Sequence, residues 1–325
     1  MNPRRAFLAL CVASSFFTTA SVLAADTFPT KSITMIVAYP AGSSTDTLAR
    51  ELAQGMSDVL GKSVVVLNRA GTGGIAGTEA VAHAAPDGYT IGWGTSSQLV
   101  MNAGVYRNMP FDIDKDLAQV ALVVEIPLAL AAGAKAPPTL KELVAQAKAD
   151  PKRFTYGSAG TGSVSHVMTE VFLKQAGIQA LHVPYRGAAP ALLDLAGGQV
   201  DLVIDTLIAI SPFLDQGRVH VLGVGGKKRS ASRPDIPTFA ELGYPDFNAY
   251  SWGAVFAPAG TPQQIIQRLN KAINKAMQTP GFKARVDQVG GTLLGPDTPQ
   301  AAVEFGQRER VRWVPFIRSA GITAD

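Results

Sequence analysis

Two Gly/Ser/Thr turns carry the residue types that can hold an anion. The first is Tyr39-Pro40-Ala41-Gly42-Ser43-Ser44-Thr45-Asp46. The second is Tyr156-Gly157-Ser158-Ala159-Gly160-Thr161-Gly162-Ser163-Val164-Ser165-His166. Each follows a short apolar run and precedes an amphipathic stretch. The first N–H groups of a helix lack intrahelical acceptors, and the helix dipole favours negative charge there. Hydroxyls at the same place add donors. The chemistry this supports is capture of a carboxylate. Helix capping is the alternative, because Ser, Thr and Asp cap helices routinely.

Other candidates stand close to these turns in the pattern. His166 falls in a first helical turn with Glu170 at i+4, so an exposed helix pair and a ligand contact are both open. Asp46 is i,i+4 from Arg50 and serves either the helix dipole or a ligand. His182-Val183-Pro184-Tyr185-Arg186-Gly187 ends a strand. Arg186 has the fork to pair bidentately with a carboxylate. A surface salt bridge is its alternative, and Tyr185 reads equally as core. Asp205 ends the apolar run 200–204. It is placed to accept from a ligand amine or hydroxyl, or to cap the helix at Leu207.

Catalytic and cofactor motifs fail at named positions. Gly71-Thr72-Gly73-Gly74-Ile75-Ala76 fits G-x-G-x-x-A, but no acidic residue ends the next strand. Gly61-Lys62-Ser63 resembles the tail of a P-loop, yet Met56 stands where its first glycine belongs. Neither Ser-rich turn is a G-x-S-x-G elbow. His83, His166, His182 and His220 have no metal-binding spacing. No cofactor and no metal are expected.

The elements that must position these residues follow from periodicity. Strands are expected at 33–38, 64–67, 90–93, 120–124, 128–131, 154–156, 181–183, 200–204, 219–224 and 254–257. Helices are expected at 46–60, 74–83, 139–149, 163–176, 188–196, 207–216, 238–242, 262–277 and 299–313. The alternation argues for βαβ units, parallel sheets and an α/β fold. In open parallel sheets ligands bind beyond the carboxyl ends of strands. The second turn echoes the first, so two anion-friendly turns are expected to face one another across a cleft.

Residues 1–24 read as a signal peptide. Arg4 and Arg5 form its basic region, 6–17 its apolar core, and Val22-Leu23-Ala24 its cleavage site. Arg4-Arg5-Ala6-Phe7-Leu8 resembles a twin-arginine signal with Ala9 where lysine is usual, so the export route stays open. Cys11 is the one cysteine and lies inside this segment, which leaves the mature chain without thiols. Loss of two arginines lowers the formal charge from +4 to +2. That is too little to imply nucleic acid. About 300 mature residues exceed a usual single-core domain, so two domains are expected.

At this point the residues resemble a known family, the periplasmic solute-binding receptors of tripartite tricarboxylate transporters, called Bug receptors in some bacteria. The carriers are Tyr39-Pro40-Ala41-Gly42 with Asp46, Ala49 and Arg50; Asn68-Arg69 with Gly71, Gly73 and Gly74; and Pro86-Asp87-Gly88-Tyr89. Further carriers are Tyr156 to Gly160 with Gly162, Ser163 and His166; Val183 to Gly187; Gly198-Gln199-Val200-Asp201; Pro234 to Thr238; and Ala257 to Pro262. The resemblance implies a two-lobed type II periplasmic binding fold with parallel-rich sheets flanked by helices and a ligand cleft between the lobes. Lobe 1 would comprise 25–124 plus 248–325, and lobe 2 would comprise 125–247. By resemblance the binders would be Tyr39, Gly42, Ser43, Ser44, Ser158, Thr161, Gly162 and Ser163. Thr95, Ser96 and Asp205 would contact the variable part of the solute. The family usually has a second glycine where Ser43 stands, so its hydroxyl alters the pocket.

The expected function is a monomeric periplasmic receptor that delivers a small carboxylated solute to membrane permease subunits. One alternative is a hydrolase with Ser158 or Ser163 as nucleophile and His166 as base. Another is a ligand-presenting partner of a membrane sensor kinase.

Overall fold

Apolar runs and amphipathic stretches alternate through residues 28–230 and 232–324, which a computed structural model describes. The expected signal peptide and Cys11 lie outside the described residues. Strand β1 (Ile33–Val37), helix α1 (Ser44–Leu60), strand β2 (Val64–Asn68), helix α2 (Ile75–Ala82) and strand β3 (Thr90–Thr95) form successive βαβ units. β1 pairs in parallel with both β2 and β3. α1 buries Leu48, Leu52 and Met56, spaced one turn apart, and closes at Gly61. Each such side chain taken from water contributes about 1.5–3 kcal/mol.

A π-helical turn (Ser97–Met101) and two short helices, α3 (Asn102–Val105) and α4 (Ile113–Asp116), follow β3. None of the three was foreseen. Strand β4 then runs over 17 residues, Leu117–Gly133. The sequence reading broke it into two runs at Glu125 and Pro127. The proline is tolerated because pairing partners change there. Residues 117–127 of β4 pair with the later strand at 250–258, and residues 128–133 pair with strands of the second half.

The second half repeats the first pattern. It contains α5 (Leu140–Ala149), β5 (Thr155–Ser158), α6 (Val164–Ala176), β6 (Leu181–Pro184), α7 (Ala188–Gly197), β7 (Leu202–Thr206), α8 (Leu207–Asp215) and β8 (Val219–Val224). β5 pairs in parallel with β6 and β7. The helix expected at 238–242 is instead a pair of tight turns. Gly243, at φ +93°, reverses the chain, and Tyr244 N–H returns to the Phe239 carbonyl. Phe172, Phe239 and Phe247 pack together beneath this segment.

The chain returns through β9 (Tyr250–Pro258), α9 (Gln263–Ala276), α10 (Pro280–Gln288), β10 (Thr292–Leu293) and α11 (Pro299–Ser319). The sheet order is β2-β1-β3-β9-β4-β7-β5-β6, with β8 and β10 also on β4. β9 is antiparallel to β3 and β4. The parallel pairs lie in the two βαβ halves, and the antiparallel pairs lie around the shared strands. Glu309 on α11 is buried and accepts from Tyr250 Oη, Trp252 Nε1 and Trp313 Nε1 at 3.0, 3.3 and 3.1 Å. Three donors compensate that buried carboxylate and tie α11 to β9 beside the point where β4 changes partners.

Candidate functional site

The two turns have the same backbone construction. Gly42 and Gly162 stand at φ +81° and +79°, a conformation that side chains resist. Ser43 and Ser163 follow as N-caps at φ/ψ of −66°/160° and −64°/157°. Ser43 Oγ accepts from the Asp46 N–H at 3.2 Å, and Ser163 Oγ accepts from the His166 N–H at 3.3 Å. The glycine N–H groups turn inward to the same relative position. Gly42 donates to Asp46 Oδ2 at 2.8 Å, and Gly162 donates to His166 Nδ1 at 3.1 Å. The sequence echo is thus a structural repeat in which Asp46 and His166 are equivalent.

That repeat gives several of the candidate residues structural partners. Asp46 is buried, and its carboxylate also accepts from Arg50 Nε at 3.0 Å and Asn68 Nδ2 at 2.7 Å. Burial raises its pKa, but Arg50, the Gly42 N–H and Asn68 outweigh that and hold it below the usual carboxylate range. These bonds build the turn. His166 is buried too and is stacked on His182, ring centroids 3.8 Å apart. Glu170 bonds Tyr156 Oη, not His166. The N–H groups of Gly42 and Gly162 are already spent on Asp46 and His166. Among the described residues, the N–H groups of Ser44, Thr45, Thr161 and Ser165 have no partner within the chain. These are the donors left for an anion.

Ser158 meets a histidine that the sequence reading did not assign to the site. His182 Nε2 lies 2.7 Å from Ser158 Oγ, which also accepts from the Gly160 N–H at 3.2 Å. Register brings them together, because β5 and β6 pair Tyr156 with His182. The two histidines and Tyr156 form one stack. Burial, helped by His182, pushes His166 down to about 3, and burial pushes His182 down to about 4. Both rings are therefore neutral at pH 7. Since Nδ1 of His166 accepts, its proton sits on Nε2.

The floor between the turns comes from strand ends. Tyr39 Oη lies 2.8 Å from Thr95 Oγ1 and 3.4 Å from Gln98 Oε1. Burial raises the Tyr39 phenol; Thr95 and Ser97 partly offset this, and the Asp205 charge adds to the rise. Asp205 Oδ1 accepts from the Thr206 N–H at 2.7 Å, while Thr206 itself is the N-cap of α8. Burial lifts the Asp205 carboxyl to about 6 against those bonds. Ser96 Oγ lies 3.2 Å from Ser251 Oγ. Tyr185 is committed elsewhere: its phenol donates to Asp194 Oδ2 at 2.7 Å, and burial and Asp194 raise it to about 12. Arg186 is exposed, Thr161 and Ser44 are half-buried, and no ion pair holds Arg186 among the described residues.

The halves touch at the π-helical turn. Ser97 Oγ accepts from the Val164 N–H of α6 at 3.1 Å. A Cβ on Gly162 would lie 2.8 Å from Val105. Ser97, Gln98, His182 and Ser251 escaped the sequence reading. Only Ser97 and Gln98 had a signal, as polar residues directly following Thr95-Ser96. Two surface hollows, of about 430 and 540 Å³, lie against Val286–Leu293 and Tyr106–Phe111, away from these residues. Among the described residues no cluster of histidine and acidic groups could hold a metal.

Comparison with known proteins gives a consistent picture. The profile described as "tripartite tricarboxylate transporter family receptor" matches residues 48–322. The chain is 38% identical to protein BugT of Bordetella pertussis over 317 residues, covering 96% of this chain and 97% of that one. Among solved structures it is similar to periplasmic binding protein BugD, at TM-score 0.82 and 32% identity, covering 91% and 99% of the two chains. It is also similar to Rpa4515 of R. palustris, solved with adipate, at TM-score 0.84 and 34% identity over 91% and 99%. MatC of Rhodopseudomonas palustris, solved with malate, aligns at TM-score 0.81 and 31% identity over 89% and 100%.

Proposed function

The chain belongs to the tripartite tricarboxylate transporter family of receptors, and from that premise we propose how it holds its solute. It is a solute-binding receptor for a small carboxylated compound. The observation that carries the binding mode is the pair of like-built turns, whose unpartnered N–H groups stand at the starts of α1 and α6. The solute carboxylate sits between Ser44 and Thr45 on one side and Thr161 to Ser165 on the other. Tyr39, Thr95, Ser96 and Asp205 meet the rest of the solute. Similar proteins solved with adipate and malate support a small organic acid.

The lobes divide at 25–124 plus 248–325 and at 125–247, and the hinge lies where β4 exchanges β9 for β7 and β8. Closure excludes water and strengthens bonds to the carboxylate. The chain acts as a monomer in the periplasm after removal of residues 1–24 and passes its cargo to permease subunits. Similar solved proteins are periplasmic. Binding without turnover is favoured over hydrolysis. The Ser158 hydroxyl is fully buried, and the nearest acid on the stack, Glu170, serves Tyr156. A hydrolase needs a reachable nucleophile and an oriented base.

A thermal-shift screen of dicarboxylates, amino acids and aromatic acids tests this reading. A ligand at about 1,000 times its Kd adds about 4 kcal/mol, a rise of a few degrees for a chain this long. The bound acid is expected back chemically unchanged. Silence across the panel in ligand-stripped protein, or recovery of a cleaved product, refutes it.

A further inference from the structure

Resting on the receptor reading, the hydrogen-bond polarity of the cleft narrows the class of solute. The starts of α1 and α6 offer donors. A second set of groups, at the strand ends, forms a pole that is built differently. The Thr95 N–H donates to the Gln98 side chain at 2.8 Å, and only the amide oxygen can accept it, so Oε1 is fixed there. The Thr95 hydroxyl donates to the same oxygen at 2.6 Å. Having given its one proton to Gln98, Thr95 accepts from Tyr39 at 2.8 Å. Ser97 accepts the Val164 N–H and turns its own proton toward Tyr39.

This arrangement leaves the Tyr39 phenol oxygen with a lone pair and no proton for the cleft. Asp205 has one oxygen held by Thr206, and its other oxygen has no partner within the described chain. Asp205 also lies within electrostatic reach of Tyr39. Gln98 supplies no donor to this pole, because its Nε2 is buried against Gly74. Tyr39, Thr95 and Asp205 therefore accept and do not donate there. A second carboxylate, which also only accepts, would lose its water against them and gain no bond from any of the three.

We propose that Tyr39 and Asp205 select an acid that carries a hydrogen-bond donor, an amine or a hydroxyl, over a plain dicarboxylate of the same length. Gln98 is the positioning residue that turns the Thr95 and Tyr39 protons away from the solute.

Calorimetry on the ligand-stripped mature chain tests this with matched probes. L-Aspartate and L-malate are compared with succinate, and L-glutamate with glutarate. The donor-bearing acid is expected to bind about tenfold tighter or more in at least one comparison, or about 1.4 kcal/mol. Tyr39→Phe and Asp205→Asn are each expected to erase that margin. Tyr39→Phe removes a single oxygen, so it carries the test if Asp205→Asn does not fold. Plain diacids that bind as tightly as their donor-bearing counterparts in every comparison overturn the proposal and leave the receptor reading standing. Silence toward all five acids overturns the proposal, and the wider thermal-shift panel then decides the receptor reading.

Discussion

A ring nitrogen that accepts a hydrogen bond cannot carry a proton at the same time. His166 Nδ1 accepts from Gly162, and α6 begins beside it, so protonation would set a cation against the positive end of a helix. The folded pKa values of about 3 for His166 and about 4 for His182 lie below the ordinary histidine value. The unfolded chain therefore binds more protons, and the contribution is fully present above about pH 6.5 and lost as pH falls toward 4. Each such proton is worth up to about 1.4 kcal/mol per pH unit. Asp205 works in the opposite sense, because its folded carboxyl, at about 6, holds a proton that the unfolded one has released. One net proton from the three groups remains in favour of acid destabilisation. Glu125 and Asp297, raised by burial, act in the same sense as Asp205, so the histidine contribution is read as a difference. From pH 6.5 to 4.5 the melting temperature of the wild type is expected to drop relative to that of His166→Asn, which keeps an acceptor for Gly162. Parallel profiles contradict this.

Among the elements, the π-helical turn at Ser97–Met101 joins one half of the site to the other. Its Ser97 bond to the Val164 N–H is a neutral hydrogen bond of about 0.5–1.5 kcal/mol net. Ser97→Ala is expected to lower the ratio of closed to open molecules roughly two- to tenfold. Solute affinity should drop to match, and small-angle scattering should report a larger radius. Unchanged affinity together with unchanged scattering would dismiss the contact as incidental. This turn also marks where sequence reading stops. Strands and helices with a clean period, such as β1, β8 and α1, were legible within a residue or two. The 97–105 segment was not, because a π-turn has neither a helical nor a strand period. β4 was half legible: its apolar runs were read, but Pro127 signalled a break where the strand only changes partners. The two turns were legible as an echo of residue types. The roles of Asp46 and His166 were not, since each depends on a glycine backbone angle that sends an N–H inward. His182 reached the site only through strand register.

At the scale of the molecule, two βαβ halves meet along β9 and β4, and α11 is fastened to β9 through Glu309. No helix among the described residues is long and apolar enough to cross a membrane. The chain aligns over nearly all of BugD and Rpa4515, so the same frame serves proteins of differing sequence. β4 has a consequence for how that frame comes apart. Residues 117–127 complete one half of the sheet and residues 128–133 complete the other. If either half melted alone, the other would keep a strand whose remaining length dangled as unpaired backbone. Heat unfolding is therefore expected to be cooperative, with one calorimetric peak whose van't Hoff and measured enthalpies agree. Two resolved peaks would mean that the halves are thermally independent. A strand shared in this way denies each half a separate melting point.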